Sequence, residues 1–175
     1  MLIRKTEAAD LDAVMAVYAH ARDFMCESGN VSQWQDGYPT RDIIESDIKN
    51  GESFVCLQDG KISAVFMLSG VPDPTYDIIK GAWLNHEPYG VIHRIARTGD
   101  AKGAGAFCIN WCLEKTGNIR IDTHKDNAPM LKLLERLGFV YCGIIWLAYG
   151  DERLAFQKTD FRHNPEVSVA PEVQS

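Results

Sequence analysis

Apolar and polar positions follow two different periods along this 175-residue chain. Over residues 11–25 the apolar side chains recur every three or four positions, which predicts an amphipathic helix ending at Ser28-Gly29-Asn30. Residues 43–48 carry three isoleucines on one helical face, and Thr40 is a suitable N-cap for this second helix. The N-terminal third therefore predicts two helices joined by a loop.

Further along, β-rich runs alternate with helical segments. The predicted strands are residues 2–5, 53–58, 61–69, 90–97, 119–124, 140–147 and 153–157. Asp59-Gly60 between two of these runs is a strong hairpin signal. Two more helices are predicted over 106–115 and after a cap at Asp126 or Asn127, while 70–88 is interpreted as a loop with a short helix near 75–80. This order predicts an α/β fold with a mixed sheet.

Composition adds limits to this picture. The formal net charge is −6 and 46% of residues are hydrophobic, which is typical of one folded domain that does not bind nucleic acid. The sequence shows neither a signal-peptide pattern nor an apolar run long enough to cross a membrane, so a cytoplasmic protein without membrane contact is expected. We expect a domain over 1–159 and a polar tail over 160–175, with residues 161–173 packed on the domain or on a partner.

The five cysteines form no CxxC pair and are interpreted as reduced, buried thiols. Cys108 and Cys112 share a predicted helix face, but no other ligands stand at zinc-site spacing. The sequence therefore predicts no metal site.

The glycine-containing turn over 99–105 carries the main chemical signal. It joins a strand to a helix, so the first free amides of that helix converge on one point that favours anions. Gly103 is followed by Ala104 rather than by the Lys of the Walker motif, and Cys108 stands where the dinucleotide motif needs glycine. A phosphate-binding turn and an ordinary strand-to-helix turn both remain open from these residues alone.

Two separated motifs resemble those of the GNAT family of N-acetyltransferases. Gly103-Ala104-Gly105 opens a helix after a strand, and Asn127 precedes Gly138-Phe139 at the end of the next helix. The resemblance extends from residue 2 to about 158. It implies an α/β fold with a mixed, mostly antiparallel sheet flanked by helices, in which the central strands splay apart.

The resemblance also implies acetyl-CoA as co-substrate. Main-chain groups along the strand would follow the pantetheine arm, and amides of the turn would hold the pyrophosphate. The implied cofactor-binding residues are Ile95, Ala96, Arg97, Lys102, Gly103, Ala104, Gly105, Ala106 and Asn127.

Three positions depart from the family's pattern. Asp100 replaces the usual Arg or Gln of the turn, and Ala101 replaces a glycine. Because a carboxylate repels a pyrophosphate at short range, Asp100 is expected to point away or to weaken CoA binding. Leu134 occupies the position of the family's frequent tyrosine acid, so any proton donor comes from elsewhere.

An amine must lose a proton before it attacks a thioester, which calls for a positioned base. His93 on the strand before the turn is the candidate base, and Tyr89, four residues earlier, is a candidate proton-relay residue. A purely structural role for His93 stays open. Asp122 on the neighbouring strand is expected to pair either with His93 or, as a structural ion pair, with Arg120 or Arg94.

Trp34 and Tyr38 are the candidate substrate-binding residues, because in the family the loop between the first two helices covers the acceptor side. Trp83 and Tyr149 are further candidates for the same pocket. Net acidity suits a cationic acceptor, but no cluster of carboxylates is visible in the sequence.

We therefore expect direct transfer of acetyl to an amine of a small molecule or peptide. A catalytically weak CoA-binding or regulatory protein is the alternative, an alcohol or a protein N-terminus as acceptor remains open, and a homodimer is possible.

Overall fold

The structure is a computed structural model, which describes residues 1–160. Within residues 1–160, four α-helices and eight strands make up the fold, with two short 3-10 helices. The helices are α1 (Leu11–Glu27), α2 (Arg41–Lys49), α3 (Ala104–Thr116) and α4 (Ala128–Arg136). The strands are β1 (Leu2–Lys5), β2 (Ser53–Gln58), β3 (Lys61–Ser69), β4 (Lys80–Gly81), β5 (Gly90–Arg97), β6 (Asn118–Thr123), β7 (Val140–Trp146) and β8 (Glu152–Thr159).

All strands lie in one sheet with the order β1-β2-β3-β5-β6-β8-β7-β4. Every pair of neighbours is antiparallel except the central pair, in which β5 and β6 run parallel. This pair is joined only at Gly90 opposite Ile119 and at Val91 opposite Arg120. Beyond these positions the two strands separate, which confirms the predicted mixed sheet with splayed central strands.

The helices cover the sheet in two apolar layers. One layer joins α1 and α2 to the sheet through Val14, Tyr18, Ile44 and Val65, all almost fully buried. The other joins α3 and α4 to the opposite face and contains Leu134, which is 0% exposed. Cys56, Cys108, Cys112 and Cys142 are buried free thiols, as predicted, whereas Cys26 is exposed.

The segment between β3 and β5 differs from its prediction. The expected helix near 75–80 is a single 3-10 turn over Pro74–Tyr76. The Asp73 carboxylate caps the start of this turn by accepting from the Thr75 amide. The turn does not continue as a helix because the chain then forms the short strand β4 against β7. Gly81 permits this pairing, since a Cβ there would lie 2.0 Å from the carbonyl oxygen of Cys142.

Of the predicted tail over 160–175, all but residue 160 lies outside the described residues, and so does the packing expected for 161–173. Within residues 1–160, no helix is both long enough and apolar enough to cross a membrane.

Candidate active site

A cleft of about 640 Å³ opens where β5 and β6 separate. Its walls come from β5, β6, the loop between α1 and α2, the turn after β3, the start of α4, and the connection from β7 to β8. Residues that line it include Gln33, Trp34, Tyr38, Asp73, His93, Arg94, Ile95, Asp122, Asn127, Tyr149 and Arg153. The parallel strands therefore create the cavity by ceasing to pair.

A bulge in β5 shapes one wall of the cleft. Arg94 has φ 54°, a left-handed conformation that is uncommon for a residue with a side chain, and the β3–β5 register shifts beside it. The Arg94 guanidinium holds this conformation through the Asp47 carboxylate of α2, with the shortest contact at 2.7 Å. Arg94 also donates to the Tyr38 hydroxyl at 3.1 Å, so the bulge, α2 and the α1–α2 loop are tied together.

His93, the predicted base, lies between two carboxylates in this cleft. Its Nε2 is 2.8 Å from Oδ2 of Asp73, and its Nδ1 is 3.9 Å from Oδ1 of Asp122. The Tyr76 hydroxyl donates to the same Asp122 oxygen at 2.7 Å. Three separate segments of the chain therefore meet around one imidazole.

Hydrogen bonds set the charge of the Asp73 carboxylate. The bond with His93, supplemented by the hydroxyl and amide of Thr75, holds the pKa of Asp73 well below its usual range despite partial burial. Asp73 is thus ionised and can only accept, so Nε2 of His93 carries the hydrogen in their shared bond. In neutral His93 the lone pair is then on Nδ1, the nitrogen nearest Asp122.

Tyr76 keeps its proton over the whole physiological range. Burial and the neighbouring Asp122 carboxylate raise the pKa of the Tyr76 phenol well above its usual value. This side chain is 1% exposed, so it acts as a permanent hydrogen-bond donor that orients Asp122.

Of the partners expected for Asp122, His93 is the one that lies near it, with 3.9 Å between Nδ1 and Oδ1 and no hydrogen bond. Arg94 pairs with Asp47 instead, and Arg120 donates to the carbonyl of Asn85. Arg120 is sandwiched between rings, with its guanidinium carbon 3.8 Å from the centroid of Tyr89 and 4.2 Å from that of Trp83. Asp122 is therefore free of an arginine partner.

Tyr89, the predicted relay residue, lies farther from the reaction centre. Its ring stacks on Tyr76 at 6.4 Å, while Tyr76 in turn contacts His93 at 6.2 Å between ring centroids. Tyr89 does not line the cleft. Its role in proton transfer stays a prediction.

Three of the four aromatic candidates for the acceptor pocket line the cleft. Trp34 packs edge-on against Tyr38 at 6.2 Å, and Tyr149 lies at the opening, 79% exposed. Trp83 was the wrong choice, since its ring packs against Tyr76 and Arg120 outside the cleft. Two carboxylates that are far apart in the sequence, Asp73 and Asp122, converge on His93 through the fold.

The glycine turn provides backbone donors at the start of α3. Within the described chain, the amides of Lys102 and Ala104 bond to turn carbonyls, whereas those of Gly103, Gly105 and Ala106 have no such partner. Gly103 has φ 83°, and a Cβ added there would meet nothing within 4 Å. The turn therefore presents unpaired N–H groups to open space at the N-terminus of a 13-residue helix.

Asp100 in the glycine turn and Asn127 at the start of α4 are each held by side-chain hydrogen bonds. The Asp100 carboxylate accepts from the Thr98 hydroxyl at 2.8 Å, and this bond lowers the pKa of Asp100. Asn127 caps α4 by accepting from the Met130 amide, and its side-chain amide donates to Gln33 at 2.8 Å. Asn127 thus fixes the α1–α2 loop against α4 while lining the cleft.

These features fit a co-substrate built like acetyl-CoA. From Ile92 onward β5 has no paired residue on β6, so its edge is open to the amides of a pantetheine arm. The unpaired amides of the glycine turn suit a pyrophosphate. A histidine held between carboxylates beside the splay supplies proton-transfer chemistry. Together they describe an acyltransferase.

Comparison with known proteins also identifies the chain as an acyltransferase. The model of the acetyltransferase (GNAT) family matches residues 15–139, so the chain belongs to this family. A GNAT-family acetyltransferase from Streptococcus agalactiae is 32% identical, with a TM-score of 0.82 over 91% of this chain and 95% of that one. A search of curated proteins found no match.

More distant structures share the fold alone. A GNAT-family acetyltransferase from Listeria monocytogenes is 20% identical, with a TM-score of 0.67 over 90% of this chain and 94% of its own. The ribosomal-protein-S18-alanine N-acetyltransferase from Escherichia coli is 18% identical, with a TM-score of 0.60 over 90% and 92%.

Sequence reasoning missed Asp73, Tyr76 and Arg153. Asp73 has a local signal, because Asp followed by Pro-Thr is a good start for a helical turn. Its pairing with a histidine 20 positions away has no such signal. Tyr76 and Arg153 become visible only when the strands are assembled.

Proposed function

We propose that this chain transfers acetyl from acetyl-CoA directly to an amine of a small molecule or peptide, with His93 as the general base. The observation that carries the proposal is the position of His93 between Asp73 and Asp122 at the splay of β5 and β6. The imidazole lines the cleft and has a carboxylate on each side, and the ionised Asp73 fixes which ring nitrogen is free to accept a proton.

Asp73 fixes the tautomer of His93. Asp122 lies on the side of the His93 ring where Nδ1 accepts a proton. Nδ1 of His93 and Oδ1 of Asp122 are 3.9 Å apart, which leaves no direct bond between them. Both atoms can accept from one donor placed between them. An ammonium acceptor, or a water that relays its proton, satisfies both and gives its proton to Nδ1.

The cofactor side of the proposal uses backbone groups. Ile95, Ala96 and Arg97 would follow the pantetheine arm, while residues 102–106 and Asn127 would hold the remainder. Acetyl-CoA, when bound, supplies the activated thioester. Asp100 bonds to Thr98 rather than standing free in the turn, which reduces the expected repulsion toward a pyrophosphate.

A weak CoA-binding protein remains the second candidate because of Leu134. This residue is 0% exposed in the core between α3 and α4, so α4 provides no hydroxyl at that position. Calorimetry with acetyl-CoA and a panel of amines separates the candidates. Binding together with thioester turnover supports the enzyme, and tight binding without turnover of any amine supports the binding protein.

The test of the base is His93→Ala, with His93→Gln as a variant that keeps a polar group. We expect kcat to fall by about 10²- to 10⁴-fold, the usual contribution of a general base, with acetyl-CoA affinity unchanged. Exposed His86→Ala is the matched control and is expected to behave as wild type. Unchanged turnover and an unchanged pH profile in His93→Ala would exclude His93 as the base.

A further inference from the structure

Arg153 is a buried cation in the cleft with few partners. Its side chain is 5% exposed and lines the same cavity as His93. Nη1 donates to the carbonyl of Glu152 at 3.0 Å, and Nη2 is 3.9 Å from the Asp151 carboxylate. The second distance is beyond a hydrogen bond, and Asp151 is 57% exposed, so this pair contributes little.

Arg94 in the same cleft shows what a satisfied arginine looks like. Its guanidinium forms three bonds to Asp47 and a fourth to the Tyr38 hydroxyl. Arg153 has the same planar fork but faces no carboxylate in this bidentate manner. Because Arg153 lines the cleft, its guanidinium can instead pair with a planar anion that enters there.

The sheet places Arg153 within reach of the acceptor's position. Asp122 lies directly opposite Ala155 in the β6–β8 pair, and Arg153 is two residues from Ala155 on β8. The side chains of Asp122 and Arg153 therefore project from one face of the sheet, with their Cα atoms about 7–8 Å apart. One face thus presents a carboxylate beside His93 and, diagonally across, a guanidinium.

We infer that the acceptor is an amino carboxylic acid whose amine lies between His93 and Asp122 and whose carboxylate binds Arg153. This inference rests on the proposed acetyl transfer to an amine and narrows its substrate class. A planar carboxylate matches the guanidinium fork with two parallel hydrogen bonds. Only a molecule that carries both an ammonium group and a carboxylate can pair with Asp122 at one end of this face and with Arg153 at the other.

The surrounding charges favour a carboxylate over a phosphate. Asp36, Asp73, Asp122 and Asp151 line the cleft, and Arg94 is already neutralised by Asp47. A dianion would meet this acidic wall at short range, whereas one carboxylate balances Arg153 alone. A simple diamine would leave Arg153 unpaired and bring a second cation toward it.

The experiment compares each protein amino acid with its carboxamide, which keeps the side chain and removes the anion. Acetyl transfer is measured for each pair with the full chain, together with an aminoalkylphosphonate. Calorimetry of the same compounds against the CoA-saturated protein provides a readout that does not need turnover. Wild type is expected to prefer the acids in kcat/KM by about 10- to 100-fold, as for a lost charge-assisted bond.

Variants at Arg153 test the assignment. Arg153→Gln is expected to remove the preference, because KM for the acids rises about 10- to 100-fold more than KM for the amides. Arg153→Lys, which keeps the charge and loses the fork, is expected to be intermediate and tests the proposal if Arg153→Gln does not fold. Exposed Arg136→Gln is the matched control.

Equal use and equal binding of acids and amides, or a stronger response to the phosphonate, would overturn the inference. So would an Arg153→Gln variant that slows both members of each pair alike. These results leave the proposed function standing as long as any amine is acetylated with dependence on His93. Failure to acetylate any amine contradicts the proposed function, and the calorimetric comparison then still decides whether a carboxylate binds at Arg153.

Discussion

The glycine turn and the cluster around His93 are built on opposite principles. The turn offers consecutive backbone amides, left unpaired at Gly103, Gly105 and Ala106, to open space. The cluster uses side chains from three distant segments, and each has its partner: Asp73 with His93, and Tyr76 with Asp122. The glycine turn can bind a ligand through N–H groups that have no partner. In the cluster around His93, the side chains instead hold one another in position.

This difference separates binding from chemistry. A pyrophosphate needs several donors in a row, which one turn supplies regardless of most side chains. Proton transfer needs one basic atom in the correct protonation state and at hydrogen-bond distance from the proton. Side chains from several segments must fix that arrangement. Substitutions in the two regions should therefore affect different kinetic parameters.

After replacement of His93 itself, the largest effect is expected from Asp73→Asn. An amide at this position presents both a donor and an acceptor to Nε2, so the ring is no longer restricted to the tautomer that frees Nδ1. We expect kcat to fall by about 10²-fold with KM for acetyl-CoA unchanged, as measured by steady-state kinetics. Asp77→Asn, in the same loop and exposed, is the control. Similar kinetics in both variants would show that Asp73 does not orient the base.

Gly103→Ala is expected to have a smaller effect, and on KM for acetyl-CoA rather than on kcat. An alanine in the left-handed conformation costs about 1–2 kcal/mol, and its Cβ would enter the space before the free amides. We expect KM for acetyl-CoA to rise by up to about tenfold while kcat changes little. This amounts to about 1.4 kcal/mol of lost binding.

Gly138→Ala provides a matched comparison for this substitution. Gly138 has φ 75°, also with nothing within 4 Å of an added Cβ, but it ends α4 away from the turn. Both variants should lose similar stability in thermal unfolding, and only Gly103→Ala should change KM. Equal changes of KM in the two variants would mean that the turn does not contact the co-substrate.

The smallest effect concerns stability in acid. The pKa of Asp73 is lower in the folded chain than its unfolded value of about 3.9, so its ionised form stabilises the fold above about pH 4. That contribution is lost as the pH falls through the lowered folded value. In urea unfolding, the stability difference between wild type and Asp73→Asn should shrink between pH 5 and pH 2. A constant difference would contradict the role of ionised Asp73.

Most of the fold was predictable because its signals are local. The hairpin at Asp59-Gly60, the helix of 11–27 and the cap at Asn127 each depend on neighbours in sequence, and the structure confirms them. The turn at 74–76 was mistaken for a longer helix because the limit on it comes from pairing between β4 and β7. That contact joins residues more than 60 positions apart.

The site was predictable only in part for the same reason. His93 could be selected by its place on the strand before the turn, and the glycine turn by its own composition. Asp73 and Arg153 could not, since each matters through a position that the sheet creates: one beside His93, the other diagonal to Asp122. Tyr89 was selected by its spacing from His93, but its ring contacts Tyr76, which lies nearer His93, and this arrangement has no signal in the spacing.

The early separation of β5 from β6 has a consequence for the solubility of the protein. A sheet normally has two edges that can recruit foreign strands, but here the parting beyond Val91 creates two further edges in the middle of the sheet. Because these two edges face each other across the cleft, they are less accessible to strands of other proteins than the outer edges at β1 and β4. The unpaired N–H and C=O groups of β5 are still available to a ligand that carries amides of its own.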